Sequence, residues 1–193
     1  MSQTAQTRTI EGIDLPPAGT WKLDTAHTSV EFVARHMLTK VRGRFSGFEG
    51  TIVVGEGPED SSVQTTVQTA TIESNQEMRD NHLKSADFLH AERFPTLTFT
   101  STKVRHTGGN GLEIVGDLTI KDITREVVLK GEFLGWGPGP QGGTIMSFSA
   151  KTDINREDWD MTWNMAVETG GFLVSKKVGI EIEVEATLDE DAE

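Results

Sequence analysis

A chain of 193 residues with no Cys, 18 Lys and Arg, 30 Asp and Glu and a net charge of −12 has no disulfide, thiolate nucleophile or cysteine-ligated metal. That net charge argues against electrostatic binding of nucleic acid or an anionic membrane surface, which needs clustered Lys and Arg, so neither is an expected partner. The length fits one domain, and a hydrophobic content of only 35% is small for a solid core, as an open interior or long polar tails would explain.

In chain order, residues 1–19, ending in LPPAG, read as a flexible arm. They show neither the basic nor the apolar region of a signal peptide, and no run approaches the roughly 18 apolar residues of a spanning helix. A cytoplasmic location with no integral membrane segment is therefore expected. One domain over residues 20–187 follows, and LDEDAE at 188–193 reads as a solvated acidic tail.

Within the domain the dominant period is two. Strands are expected at Trp21 to Leu23, Ser29 to His36, Phe45 to Val54 and Val63 to Ile72. A polar insert at residues 75–92 then breaks the pattern. Ser74 and Glu77 have capping-box spacing, which predicts a helix over Asn75 to Lys84, with Ser85 and Asp87 opening a second turn. Pro95 returns the chain to extended geometry, and Leu97 and Phe99 alternate with Thr96, Thr98 and Thr100. Next, Leu112, Ile114, Gly116, Leu118 and Ile120 oppose Glu113, Asp117 and Lys121, and Val127, Leu129 and Phe133 repeat the pattern after the hairpin-length connection KDITRE. GPGPQGGT, Gly137 to Thr144, reads as a loose hairpin loop. Strands at Met146 to Asp153 and Val178 to Val184 complete eight or nine, the last with Gly179, Glu181 and Glu183 on its wet face.

Short turns such as GEGPED and HTGGNG make this a meander, which stacks as a sandwich or closes as a barrel. Closure is favoured because it removes exposed edges. Gly116 and Gly131 fall on inward faces, where a missing side chain permits coiling or leaves room. An eight-stranded barrel holds one small ligand or fills itself with side chains, and the pattern alone does not choose.

The segments WKLDTAHTSVEFVARHMLTKVRGRFSGFEGTI, MRDNHLKSADFLHAERFPTLTFTS, VGDLTIKDITREVVLKGEF, INREDWDM and VGIEIEVEA resemble, in matching order from Thr20 to Ala186, the YceI-like family of lipocalin-like lipid-binding proteins. The resemblance implies an all-β, eight-stranded antiparallel barrel with a helical insert. It also implies an elongated apolar tunnel for polyisoprenoids or similar long-chain amphiphiles, and frequent dimers, which leaves a homodimer open. Two departures stand beside the match. Many relatives carry a secretion signal that is not found here, and Phe94 precedes Pro95 where a Tyr is common.

Under that resemblance Phe32, Phe45, Phe48, Phe88, Phe99, Phe133, Trp159 and Phe172 are candidates to line the tunnel, with Leu83, Leu118 and Ile120; read from the residues alone, aromatics at strand spacing are core. His36 and Met78 join the candidate ligand-binding set. Arg79, Asp80 and His82 match the family's RDxHL pattern and could anchor a lipid head group at the mouth, or pair and cap locally. Asp80, His82 and His90 offer ligands suited to zinc or iron, but their spacing matches no HExxH or facial triad, so neither metal nor cofactor is expected. His27 and His36 read as partners of nearby carboxylates. Ser29 or Ser85 with His82 and Asp87 could be drawn as a hydrolase triad, yet no GxSxG elbow is present. The expected function is non-catalytic binding, storage or transport of a polyisoprenoid, isoprenoid quinone or fatty-acid-like lipid. The alternative is a protein-interaction or stress-response module with a filled barrel.

Overall fold

The structure, a computed structural model, describes residues 8–166 and 172–192. Its strands are β1 (Thr9–Ile10), β2 (Ile13–Asp14), β3 (Gly19–Leu23), β4 (Ser29–His36), β5 (Thr39–Phe45), β6 (Phe48–Val54), β7 (Ser62–Gln68) and β8 (Ile72–Glu73), followed by helix α1 (Glu77–Lys84). The strands β9 (Thr96–Gly108), β10 (Gly111–Ile120), β11 (Ile123–Pro138), β12 (Thr144–Asn155) and β13 (Val174–Leu188) follow the helix.

Three strand positions are interrupted. On β13, β4 pairs along Val174 to Glu183 and β3 continues the same line at Ala186 to Leu188. Likewise β5 and β6 pair with β4 and β3 in turn, and β7 and β8 lie along β6 and β5. With β9 to β13, these make eight positions, all antiparallel. The ring closes because β13 is bonded on both edges: Thr187 pairs with Ile145 on one side, and Leu188 pairs with Trp21 on the other. The molecule is an eight-stranded antiparallel barrel, as the alternation and the family resemblance imply. Among the described residues, no helix is long and apolar enough to cross a membrane.

The interruptions are held by side chains. Thr71 Oγ1 accepts from Gly47 N at 2.9 Å, and Gln68 N donates to Gly47 O at 2.8 Å, which ties the two adjacent breaks together. A side chain at Gly47 would meet Thr71 Cγ2 at 2.7 Å, so glycine permits this approach. The break between β3 and β4 is closed by Asp24 N donating to Glu185 O at 2.9 Å and Thr28 Oγ1 donating to the same oxygen at 3.0 Å.

That break also carries a titrating pair. His27 Nδ1 lies 2.8 Å from Asp24 and 3.6 Å from Glu185. The Asp24 hydrogen bond raises the imidazole pKa above its ordinary value, and the same bond lowers the Asp24 carboxyl pKa. Stability from His27 is complete below its unfolded pKa and is lost as pH rises through the raised folded value. Stability from Asp24 is complete above its unfolded pKa and is lost as pH falls through the lowered one. His27→Gln is therefore expected to lower the melting temperature most near about pH 5, between the two ordinary values, with the difference from wild type vanishing in alkaline buffer. Melting curves at the two pH values check this, and an equal deficit at both would contradict it.

The structure departs from the sequence-based expectations at several points. Helix α1 begins at Glu77, and its N-cap is Gln76, whose side chain accepts from Arg79 N at 2.5 Å. Ser74 is not free to cap, because its Oγ accepts from Arg79 Nε at 2.7 Å and donates to Asp80. Asn75, expected in the helix, has φ +60. The strand Thr39–Phe45 was not anticipated, since only Val41 and Phe45 give it an apolar face. KDITRE is mostly strand, and only Lys121 and Asp122 turn, with φ values of +51 and +59, the backbone of a tight two-residue hairpin.

Part of the expected flexible arm is ordered. Residues 1–7 lie outside the described residues, but from residue 8 the chain folds as the β1–β2 hairpin against one end of the barrel. Arg8 donates to Gly55 O at 2.7 Å and to Pro16 O at 2.5 Å, and Gly109 N donates to Glu11 at 3.0 Å. The expected tail likewise begins inside β13, and Asp189 N donates to Thr20 O at 2.8 Å; Glu193 lies outside the described residues.

Candidate functional site: an apolar chamber inside the barrel

Inward-facing side chains do not fill the barrel. A cavity of about 220 Å³ runs through its middle toward the end carrying α1. Strand alternation supplies its walls: Phe32 and Phe45 from β4 and β5, Phe99 from β9, Ile114, Leu118 and Ile120 from β10, Val127 and Leu129 from β11, and Ile180, Ile182 and Val184 from β13. The insert forms part of the end wall. After α1, Leu89 N donates to Leu83 O at 3.1 Å and Ala91 N to Lys84 O at 2.9 Å, and this fold-back places Leu83, Phe88 and Leu89 on the cavity.

A second cavity of about 110 Å³ lies at the opposite end, under the β1–β2 hairpin, lined by Ile10, Ile13, Leu15, Ile52, Phe133 and Met146 among others. Val63, Ile114 and Phe148 border both chambers. The two spaces thus adjoin, with these three side chains between them.

Among the described residues, only two ionisable ones, Glu31 and Arg156, border the larger chamber. Glu31 alternates with Val30 and Phe32, and its carboxylate accepts from Arg42 NH1 at 2.8 Å among exposed groups. Arg156 is different: it is 3% exposed. It opens the short 3-10 turn Arg156–Trp159, where Asn155 caps by accepting from Glu157 N at 3.2 Å. Its Nε donates to Ser175 O at 3.0 Å and its NH1 to Met161 O. The guanidinium lies 5.9 Å from the Phe88 ring centroid. Burial pushes its pKa down, but an arginine keeps its charge at any physiological pH.

Residues 21–186 match the YceI-like domain. The chain belongs to the YceI-like family. A UPF0312 protein of Staphylococcus aureus (strain MSSA476) is 37% identical over 171 residues, covering 86% of this chain and 96% of that protein. In fold, the chain is similar to Burkholderia cenocepacia BcnA, with a TM-score of 0.74 at 23% identity over 86% of this chain and 99% of that one. It is also similar to a structure described as a polyisoprenoid binding domain from Saccharophagus degradans, with a TM-score of 0.62 at 10% identity over 90% and 100% of the two chains.

This YceI-like barrel gathers about half of the sequence-predicted site residues. Phe32, Phe45, Leu83, Phe88, Phe99, Leu118 and Ile120 border the larger chamber, and Phe133 borders the smaller. Phe48 packs against the core without facing either space. Trp159, 2% exposed, is also core, with its indole N–H donating to Leu118 O at 3.2 Å. Three candidates lie outside: His36 is exposed at the end of β4, Met78 is 79% exposed on α1, and Phe172 is 61% exposed before β13. Met78 faces water because Leu83 is the α1 side chain turned to the chamber.

The RDxHL residues do structural work here. Arg79 Nε and NH2 each reach Ser74 at 2.7 Å, and Asp80 accepts from Ser74 N at 2.8 Å, which fastens α1 to the end of β8. His82 stands edge-on to Phe88 and Trp163, with centroids 5.0 and 4.5 Å away, and its Nε2 lies 2.9 Å from Asp87. It buttresses Phe88 from behind. No triad geometry forms around it, since Ser85 Oγ donates to the His82 carbonyl at 2.7 Å and not to the ring. Among the described residues, the one group of three His, Asp or Glu donors within 4.8 Å of one another is Asp24, His27 and Glu185; Asp80, His82 and His90 are not brought together. His27 thus has its expected carboxylate partners, whereas His36 makes no ion pair among the described residues.

Sequence reasoning missed Arg156. The signal was present in INREDWDM, but a charged residue after a strand reads as surface. The aliphatic residues Ile114, Val127, Leu129, Ile180, Ile182 and Val184 also line the larger chamber, on the inward faces that alternation marks.

Proposed function

We propose that the chain binds a long-chain amphiphile, a polyisoprenoid, isoprenoid quinone or fatty-acid-like lipid, in the barrel and stores or carries it without chemical change. The observation that carries this reading is the 220 Å³ chamber with almost wholly apolar walls adjoining a second of 110 Å³. An apolar cavity of about 150 Å³ is enough to take up benzene, so the larger chamber accommodates several chain carbons and the pair suits an elongated tail. The description of the Saccharophagus fold neighbour as polyisoprenoid-binding supports the same ligand class.

Each methylene moved from water into the chamber is worth roughly 0.8 kcal/mol, reduced by lost chain freedom and imperfect packing. Affinity then grows with chain length until the chambers are full. The chambers count against a filled-barrel interaction module, and the ring of His82 is engaged by Asp87 and aromatics, with no nucleophile on it among the described residues, which supports binding without catalysis.

Protein purified under mild conditions is expected to carry an amphiphile. Native mass spectra should exceed the denatured chain mass by a few hundred daltons, on the scale of a single lipid. Bare-chain masses from several hosts, together with no uptake of added isoprenoid quinone or fatty acid after delipidation, would overturn the reading.

A further inference from the structure

Burying a guanidinium beside an apolar chamber is unfavourable unless its charge and donors are met. In Arg156 they are met only in part. Nε and NH1 are taken by the Ser175 and Met161 carbonyls, whereas NH2 is buried with no hydrogen-bond partner among the described residues. Both partners are neutral, and among the described residues no carboxylate pairs with the guanidinium; Glu157 acts on it only at a distance. The nearest acidic residue in sequence, Glu157, is engaged 2.8 Å from Lys176. A buried donor without a partner is rare in folded proteins and calls for an explanation in strain, a bound water or ion, or a functional role.

The position fits a head-group site. Arg156 borders the same chamber as Phe88, Met161 and Val174 at the α1 end, so a chain extending into the barrel would leave its head beside the guanidinium. We propose that Arg156 reads that head, and that the preferred ligand is a long-chain carboxylate whose oxygen accepts from NH2. This rests on the amphiphile reading above and narrows its ligand class. Carboxylate restores neutrality and forms a charge-assisted hydrogen bond; an ester of the same chain offers a neutral acceptor and leaves the charge unpaired.

The test compares hexadecanoic acid with its methyl ester on delipidated full-length protein, by displacement of a fluorescent fatty acid near neutral pH, each ligand kept below its critical aggregation concentration. Wild type is expected to favour the acid by roughly tenfold to a hundredfold, the range of a hydrogen bond to a charged group. Arg156→Met should remove that preference while keeping ester affinity within a few-fold of wild type, and Arg156→Lys should restore a preference for the acid. Equal affinity of wild type for acid and ester would overturn the proposal, and that comparison needs no variant. A preference that survives in folded Arg156→Met would also overturn it, as would equal losses for both ligands in folded Arg156→Met, which mark a purely structural arginine. Failure of wild type to bind either ligand would overturn the proposal, and failure to take up isoprenoid quinone as well would overturn the amphiphile reading itself.

Discussion

Leu118→Trp is expected to abolish uptake of a long-chain lipid while leaving the lipid-free barrel close to wild type in stability. Leu118 sits opposite Phe99 across the β9–β10 ladder and borders the larger chamber, where it is only partly buried by its neighbours. An indole there would enter space that a chain needs, in a cavity of 220 Å³. In a filled interior the same change would overpack the core and cost roughly 1 to 3 kcal/mol. Urea unfolding of delipidated protein and a fluorescent-lipid titration measure the two quantities separately. Lost stability with intact uptake would mean that the cavity is not the binding site.

Trp21→Ala should have the opposite profile, a large loss of stability at a place remote from the α1 end. Trp21 has no exposed surface, pairs with Leu188 on β13 and Ile52 on β6, and donates its indole N–H to Pro17 O at 3.2 Å. Replacing such a side chain costs about 3 to 5 kcal/mol, a large share of the roughly 5 to 15 kcal/mol that holds a domain folded. A fall in melting temperature of the order of 10 °C is expected, at about 2 to 4 °C per kcal/mol for this size. Trp21→Phe, which keeps most of the volume and loses the hydrogen bond to Pro17, should cost only about 1 kcal/mol. Similar deficits for the two variants would show that the indole N–H, not the packing, secures that end.

The contrast between what the sequence revealed and what it hid follows from which interactions repeat. Alternation at Val178, Ile180, Ile182 and Val184, or at Ile114, Leu118 and Ile120, is a local signal, and it located strands and inward faces correctly. β5 escaped notice because Lys40, Arg42 and Arg44 dominate it, with Arg42 and Arg44 paired to carboxylates on neighbouring strands. The helix cap was misplaced because Ser74 is claimed by Arg79 and Asp80 in three dimensions, leaving Gln76 to cap. Gly116 lies inward as expected, but it leaves no room, since a side chain there would meet the Phe99 ring at 2.5 Å and Thr100 O at 2.6 Å. Long-range contacts of this kind leave no periodicity. The same is true of Arg156, whose burial depends on Met161, Ser175 and Phe88 converging from separate segments.

The double pairing of β13 has a consequence for how the chain reaches this state. Until β13 has been synthesised, β3, β4 and β12 each present an unbonded edge, and the apolar walls of the chamber face water. Its partners in β3 and β4 are among the first elements made, so closing the ring joins the most distant parts of the domain at a high cost in chain entropy. Folding should therefore be slow, and any chain still lacking β13 exposes strand edges open to strand-to-strand aggregation.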